Sequence, residues 1–483
     1  MGPKCFGSKP LTNPEPAVLE KLGTFVAQSS GPTPVLRKTL ALHMVDSVGA
    51  WIAGRHTAEG AAMVRWANAL REGTAIAPMQ KLRLGIATHC ALARLSEIDD
   101  IHLVSMITPG GIVVPAAVTI AAALGSDPAA LAAAVLAGYE IMIRLGRAMN
   151  GPAILYRGIW PTYFTTPVGV AAVAARLLAL DERESANALA LALTRSAPGV
   201  GHHNAVTTSR WLAIGQAAET GLVAALAAGA GFTADLGLLD GGFLPGIYDV
   251  KPDVAVLTAT LGETFALNET SFKPWCAARQ TMAATQALIE ILGSGVAPDA
   301  IREVKAFVLP PHRRMIDHGV TPGDRSSFLT SLPYHLAVAA VAPEAAFDVG
   351  QSPGEVPDTI RAFMGKVSVE PDDALLAHYP LEWPARVEAA TSSGRHVRTV
   401  TRVPGEPLRR FDTTAVKTKF HRFAVPAVGA ETATRVFEQA FRLLDEPAAA
   451  ALLFSDIESF GKGGMDGGEN NRDAARRPVG SIE

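Results

Sequence analysis

Between residues 16 and 266 the chain passes through one apolar, alanine-rich helical segment after another, and several are apolar nearly all round. A helix without a polar face has no side to present to water, so such helices belong in the middle of a large bundle. The spacing of apolar residues predicts helices over 35–53, 61–70, 82–95, 128–149, 167–180, 186–194 and 213–230. Aromatic residues are few and alanine, the strongest helix former, is abundant, which favours packed helices over sandwiches. At 483 residues the chain is too long for one simple core, so two domains are expected.

The pattern changes after Ser271. A helix over 274–292 is followed by a strand-like run at 304–309 and another short strand candidate at 367–369. Alternating runs on either side of Ser392-Ser-Gly-Arg395 predict a β-hairpin. This second region therefore reads as α+β, and helices return at 430–444 and 447–453. The stretch 461–483 is Gly-, Asn- and charge-rich without periodicity and is expected to be disordered.

Several function classes drop out. The formal net charge is −3 with no long basic run, so no nucleic-acid surface is expected. Cys5, Cys90 and Cys276 are odd in number and far apart, which offers no disulfide framework or iron–sulfur site and fits a reducing cytoplasm. The N-terminus lacks an apolar signal core. The best membrane candidate, 112–139, is interrupted by Pro115 and by Gly125-Ser-Asp-Pro128, so it reads as two core helices joined by a tight turn. There is no P-loop, no Gly-x-Gly-x-x-Gly between a strand and a helix, and no Gly-x-Ser-x-Gly elbow.

Polar residues cluster instead at breaks between the apolar helices. The first break packs Glu97, Asp99, Asp100 and His102 into six residues, then stops at Thr108-Pro-Gly-Gly. Acids between two core helices are costly to bury unless they are paired or used. The second break is Arg157-Gly-Ile-Trp-Pro-Thr-Tyr-Phe-Thr-Thr-Pro167, and the third runs from Gly199 through His202 and His203 to Trp211. The fourth, Thr270-Ser-Phe-Lys-Pro-Trp-Cys-Ala-Ala-Arg279, sits at the domain boundary. A metal could be sought at Asp99, Asp100 and His102 or at the His202-His203 pair, but adjacent histidines point in different directions on a helix, so no metal is expected.

Taken in order, these segments resemble the MmgE/PrpD family, which includes 2-methylcitrate dehydratase, cis-aconitate decarboxylase and iminodisuccinate epimerase. The resemblance covers residues 16–457. It rests on the Asp99-Asp100 segment, the Arg-Gly-x-x-Pro-Thr turn, the Gly-x-Ala-Ala-Glu-Thr-Gly helix from Gly215 to Gly221, and Lys273-Pro-Trp-Cys276. Ser331-Leu-Pro-Tyr-His335 and Lys419-Phe420 match two later landmarks. The resemblance implies a mainly α protein with a large all-helical domain over 16–266, completed by 406–457, and a smaller α+β lid domain over 267–405. It also implies a shared cleft, a homodimer, and chemistry without metal or organic cofactor.

The chain departs from the family at instructive places. Glu97 stands where decarboxylase and dehydratase members carry Asp, and Thr108 and Trp160 stand where they carry His. Arg210 replaces a lysine, Ala213 replaces a third His, and Lys273 is unchanged. Abstracting a proton next to a carboxylate needs a base, plus cations to hold the carboxylate and the developing enolate. Arg210 and Lys273 are the natural cations. Arginine clamps a carboxylate without shedding its proton, whereas a lysine in a dry cleft can exchange one. Glu97 or Asp100 is a candidate base, and His102 or His203 would supply imidazole lost elsewhere. Thr108, Trp160, Thr162, Ser209 and Tyr334 are candidate substrate-binding residues. Plainer roles stand beside these: Asp99 and Asp100 as turn caps or partners of Arg94, His202 as a loop residue, Cys276 as a small buried hydrophobe, and Tyr334 and His335 as interior residues. The resulting expectation is a lyase of dehydratase or decarboxylase type acting on a small carboxylate. An epimerase using the same cleft, or a non-catalytic ligand-binding relative, are the alternatives.

Overall fold

A computed structural model describes residues 15–71, 76–197, 207–352 and 354–460. The expected tail at 461–483 lies outside the described residues, as do His202 and His203. Two large apolar clusters organise the fold: one draws on residues 18–272 and 416–457, the other on 275–403. The first is all-helical and the second is α+β, so the protein is mainly α with a smaller mixed domain.

At the centre of the helical domain lies Pro128–Ala148, started by Pro128 behind an Asp127 side-chain cap. It packs against Gly110–Leu124 and Pro161–Leu177. The helices Pro128–Ala148 and Ser209–Gly229 are long and apolar enough to cross a membrane, but 89% of the first one's most apolar window is buried in protein, so its apolarity serves the core. The 112–139 stretch is indeed two helices, broken where Gly125 turns left-handed at φ 65°. Ser209–Gly229 approaches its neighbours closely. A Cβ at Gly215 would collide with the Ala87 carbonyl and one at Gly221 with the Pro167 carbonyl, which explains the small residues of that helix.

Most helix starts lie within four residues of the spacing prediction, and two differ by more. Pro161–Leu177 begins six residues before Pro167, because Pro161 takes the first-turn position and Pro167 is tolerated inside the helix. The helix expected from 274 begins at Arg279, since residues 274–278 form an irregular stretch instead.

The α+β domain holds a four-stranded sheet of β3 (Glu303–Val308), β4 (Val367–Pro371), β5 (Ala385–Thr391) and β6 (Gly394–Val400), in the order β4-β3-β5-β6. β3 pairs parallel with β4 and antiparallel with β5, and the expected hairpin joins β5 to β6 with Thr391 opposite Gly394. Alternate residues of β5, Ala385, Val387 and Ala389, are buried against helix Arg279–Gly293. A second, two-stranded sheet matters more for function. β1 (Ile101–His102) pairs antiparallel with β2 (Thr270–Ser271), tying the acidic segment to the chain just before Lys273.

Two histidines bury neutral in the α+β domain. Burial pushes His335 down to about 4, against the pull of its bond to the Leu329 carbonyl. Burial and the nearby Arg279 push His312 down to about 3. Between these values and the unfolded value of about 6.5 the unfolded chain binds more protons, so stability is complete above that pH and falls as pH drops through the window. We predict an acid loss of the order of 3 kcal/mol from His335 alone, measured by urea unfolding at pH 7.5 and pH 4.5. His335→Gln, which can still donate to Leu329, should flatten that dependence; an unchanged slope would contradict the assignment.

Candidate active site

Helix Pro78–Leu95 ends at the acidic segment, and the turn that follows carries its charge inward. Glu97 adopts the left-handed conformation at φ 54°, the position where a helix end usually takes glycine. That conformation costs a non-glycine residue about 1–2 kcal/mol, and residues held so tend to cluster at functional sites.

The turn builds a buried charge cluster. Arg94 Nη1 donates to both oxygens of Asp99 at 2.9 and 3.1 Å, and Nη2 donates to Glu97 Oε1 at 2.7 Å. From the domain boundary, Lys273 Nζ reaches Glu97 Oε2 at 3.0 Å and Asp99 Oδ1 at 3.4 Å. Two carboxylates and two cations thus interleave, with Lys273 only 1% exposed. Burial alone would raise the Glu97 carboxyl, but Arg94, Lys273 and Arg210 outweigh it and hold the group well below the usual carboxylate range. For Asp99 burial wins: helped by Glu97 and Asp100, it pushes the carboxyl up to about 6 against Arg94 and Lys273.

Asp100 points away into the core. Its Oδ2 accepts from Tyr139 Oη at 2.7 Å and lies 2.7 Å from His43 Nδ1, while Oδ1 accepts from the Gly110 amide at 2.8 Å. The Gly110-Gly111 pair permits this: a Cβ on Gly110 would strike Ser47 Oγ, Tyr139 Oη and Asp100 Oδ1, and one on Gly111 would strike Asp99 Oδ2. His102 is also turned inward, with Nδ1 accepting from the Ser105 amide at 3.2 Å and Nε2 lying 3.3 Å from Glu269. Asp99, Asp100 and His102 therefore serve three separate partner sets, and no three metal-ligating side chains converge among the described residues.

Between the helical and α+β domains lies a narrow cleft whose lining includes Arg94, Glu97 and Lys273. Thr108 and Thr162 form part of one wall and bond to each other, the Thr108 amide donating to Thr162 Oγ1 at 3.1 Å. Arg210 forms another. Its guanidinium lies over Trp160 at 4.6 Å and Trp211 at 4.7 Å, and Nη1 donates to Ser326 Oγ at 3.0 Å. It makes no ion pair with a carboxylate among the described residues. Arg279 lines the cleft too, pairing with Glu406 through Nη2 and leaving Nη1 without a partner among the described residues. Four cations thus meet the carboxylates of Glu97, Asp99 and Glu406, and the unmatched one is Arg210.

Of the residues singled out from sequence, the structure gathers Glu97, Lys273, Arg210, Thr108, Trp160 and Thr162 around this cleft. Asp100, His102, Ser209 and Tyr334 are not part of its lining. Ser209 bonds to Thr207 near the start of its helix, and the Tyr334 ring packs on Phe328 inside the α+β domain. His203 lies outside the described residues. Sequence reasoning missed Tyr163, Arg279 and Ser326. Tyr163 is 4% exposed, lines the cleft and has a hydroxyl without a partner among the described residues. It follows Thr162 directly, so the second polar break did carry its signal; Ser326 had none.

Two family models match the chain: the MmgE/PrpD N-terminal domain over residues 20–252 and the MmgE/PrpD C-terminal domain over residues 275–445. The chain belongs to the MmgE/PrpD family. That family supports an enzyme of dehydratase, lyase or related type. Among curated proteins none matches the chain.

The two acids on either side of Asp99 should respond differently to substitution. Asp100→Asn replaces one of the two oxygens that meet Tyr139, His43 and the Gly110 amide with an NH2 donor, and we predict a loss of about 3 kcal/mol, the upper end of the cost of leaving a buried polar group unsatisfied. Glu97→Gly relieves the left-handed backbone while stranding part of the Arg94 and Lys273 charge, so its loss should be smaller. Urea unfolding of both variants decides the order; a Glu97→Gly loss exceeding that of Asp100→Asn would contradict it.

Proposed function

We propose that the protein is a cofactor-independent lyase that abstracts a proton at an activated carbon of a small carboxylate-bearing substrate. The observation that carries this reading is Arg210: a guanidinium fixed over Trp160, bound by Ser326 and unmatched by any carboxylate among the described residues, in a cleft beside Glu97 and Lys273. A fixed cation of this kind is suited to clamp a substrate carboxylate.

In this scheme Arg210 holds the carboxylate, Lys273 faces the charge that develops on the enolate, and Glu97 accepts the proton. Arg94, Lys273 and Arg210 hold Glu97 strongly ionised, which by itself makes it a weak base. An anion seated against Arg210 and Lys273 offsets those cations and raises the proton affinity of Glu97. The substrate thus switches on the base that acts on it. Lys273 or the Tyr163 hydroxyl then returns a proton to the leaving group or to carbon. Because the described lining offers a carboxylate, an ammonium and a phenol, the same set supports an epimerase, which needs one base and one acid. We also propose a homodimer as the working form.

Incubating the protein with malate, citrate and related small carboxylates in deuterated water separates these readings by NMR. Loss of water or carbon dioxide supports the lyase, exchange with unchanged connectivity supports the epimerase, and binding without either refutes an enzyme. Lys273→Ala should lower turnover by about a hundredfold or more. Arg210→Lys, which loses the planar fork, should mainly raise KM, by about tenfold.

A further inference from the structure

The end of helix Pro78–Leu95 is held in an unusual way. The carbonyls from its last residue, Leu95, through the turn to Ile98 are each met by a donor from a distant part of the chain. Arg325 Nη2 donates to Leu95 O at 2.9 Å and Ser96 O at 3.4 Å, and Cys276 Sγ donates to Ser96 O at 3.2 Å. Lys273 Nζ lies 3.4 Å from Glu97 O, and Lys419 Nζ donates to Ile98 O at 2.7 Å. Three cations therefore gather at the negative end of a helix, where glycine more often provides the closing turn.

Arg325 differs from the other two cations. Lys273 is paired with Glu97 and Asp99, and Lys419 with Asp46 at 2.6 Å. Arg325 is 3% exposed and makes no ion pair among the described residues; its other bonds are to the Val349 carbonyl and to Cys276 Sγ at 3.7 Å. A guanidinium buried on neutral carbonyls and a thiol, with no carboxylate, is costly. Its neighbour in the short helix Arg325–Thr330 is Ser326, whose Oγ accepts from Arg210. The Asp324 cap, accepting from the Ser326 amide at 3.1 Å, fixes the start of that helix. Two adjacent side chains of the α+β domain thus reach in two directions. One grips the backbone just before Glu97, and the other holds the guanidinium on the facing wall.

We propose that the Arg325–Ser326 pair sets the separation between the Glu97–Lys273 proton-transfer groups and the Arg210 anion clamp, with Arg325 as a positioning residue for Glu97. This rests on the reading of the cleft given above. Arg325 touches no reacting atom. It holds the turn in which Glu97 is kept left-handed, so seating of the α+β domain and alignment of the base are one event. Without Arg325 the turn is free to relax, and Glu97 moves away from Lys273 while Arg210 stays in place.

The test uses the full-length chain with Arg325→Met, Arg325→Lys and Ser326→Ala, and three readouts. These are the Kd for citrate by calorimetry, deuterium exchange into malate and citrate at saturation, and the rate at which a small thiol reagent labels Cys276, followed by peptide mass spectrometry. Arg325→Met should slow exchange at saturation by about a hundredfold, as expected for a misplaced catalytic group, while leaving the citrate Kd within about twofold. It should also raise Cys276 labelling by about tenfold, because local opening outweighs the thiolate support lost with the Arg325–Cys276 contact. Arg325→Lys should recover part of both effects, and Ser326→Ala should weaken citrate binding instead. Parallel loss of binding and exchange, no rescue by lysine, or Cys276 labelling at the wild-type rate would overturn the proposal. If the wild-type protein exchanges no carboxylate, the functional reading fails, and Cys276 labelling in Arg325→Met and Arg325→Lys alone decides the positioning role. If Arg325→Met does not fold, Arg325→Lys must still show increased labelling relative to wild type for the proposal to stand.

Discussion

Arg94, Glu97, Asp99 and Lys273 form one buried set of alternating charges, and much of the surrounding structure exists to hold it. Removing any one member strands its partners in a low-dielectric interior, which typically costs about 3–5 kcal/mol for a buried pair. The β1–β2 pairing carries Lys273 to the acidic turn, and Gly110 and Gly111 leave room for Asp100 and Asp99. Lys419 and Arg325 anchor the turn from two further directions. A purely apolar filling would be easier to bury. These four buried charges, three of them in the lining of the cleft, are therefore a poor source of stability, and the proposed chemistry gives them a use.

The departures from the family pattern acquire a physical meaning in three dimensions. Thr108, at a position where the resemblance expects histidine, bonds to Thr162 and so turns a proton-transfer position into part of a polar wall. Trp160, at another such position, stacks on Arg210. The two changes act together. They remove two imidazoles that the resemblance expects, and in their place stand a threonine pair and a guanidinium stacked on an indole. In the proposed scheme proton transfer is left to Glu97 and Lys273, with Tyr163 beside Trp160 as the alternative donor.

Much of the fold was legible because its signals are local. The helical periodicity of 128–149 and 213–230, and the alternation around Ser392-Ser-Gly, depend only on neighbouring residues, and the observed elements agree to within a few positions. Where the reading slipped, two local signals competed: Pro161 and Pro167 are both good helix starters, and only packing shows that the second lies inside the helix. The candidate site was half legible. Polar residues at breaks between apolar helices pointed to Glu97, Arg210 and Lys273. They could not separate Glu97 from Asp100, because the direction of each side chain depends on the left-handed backbone at residue 97 and on Tyr139 and His43 from distant helices.

Taken alone, the sequence determined that this is a large helical protein with a mixed second region, and that its polar chemistry sits at a few interhelical breaks. Those properties follow from composition and short-range periodicity, which act before any long-range contact forms. Only the tertiary structure decided which charges face each other. It paired Arg94 with Asp99, buried Asp100 and His102 behind the wall, left Arg210 unmatched among the described residues, and brought Arg325 across from the second domain. Burial and ion pairing depend on distances between residues far apart in the chain, 230 positions in the Arg325–Leu95 bond and 321 in the Lys419–Ile98 bond, and no local pattern encodes those distances.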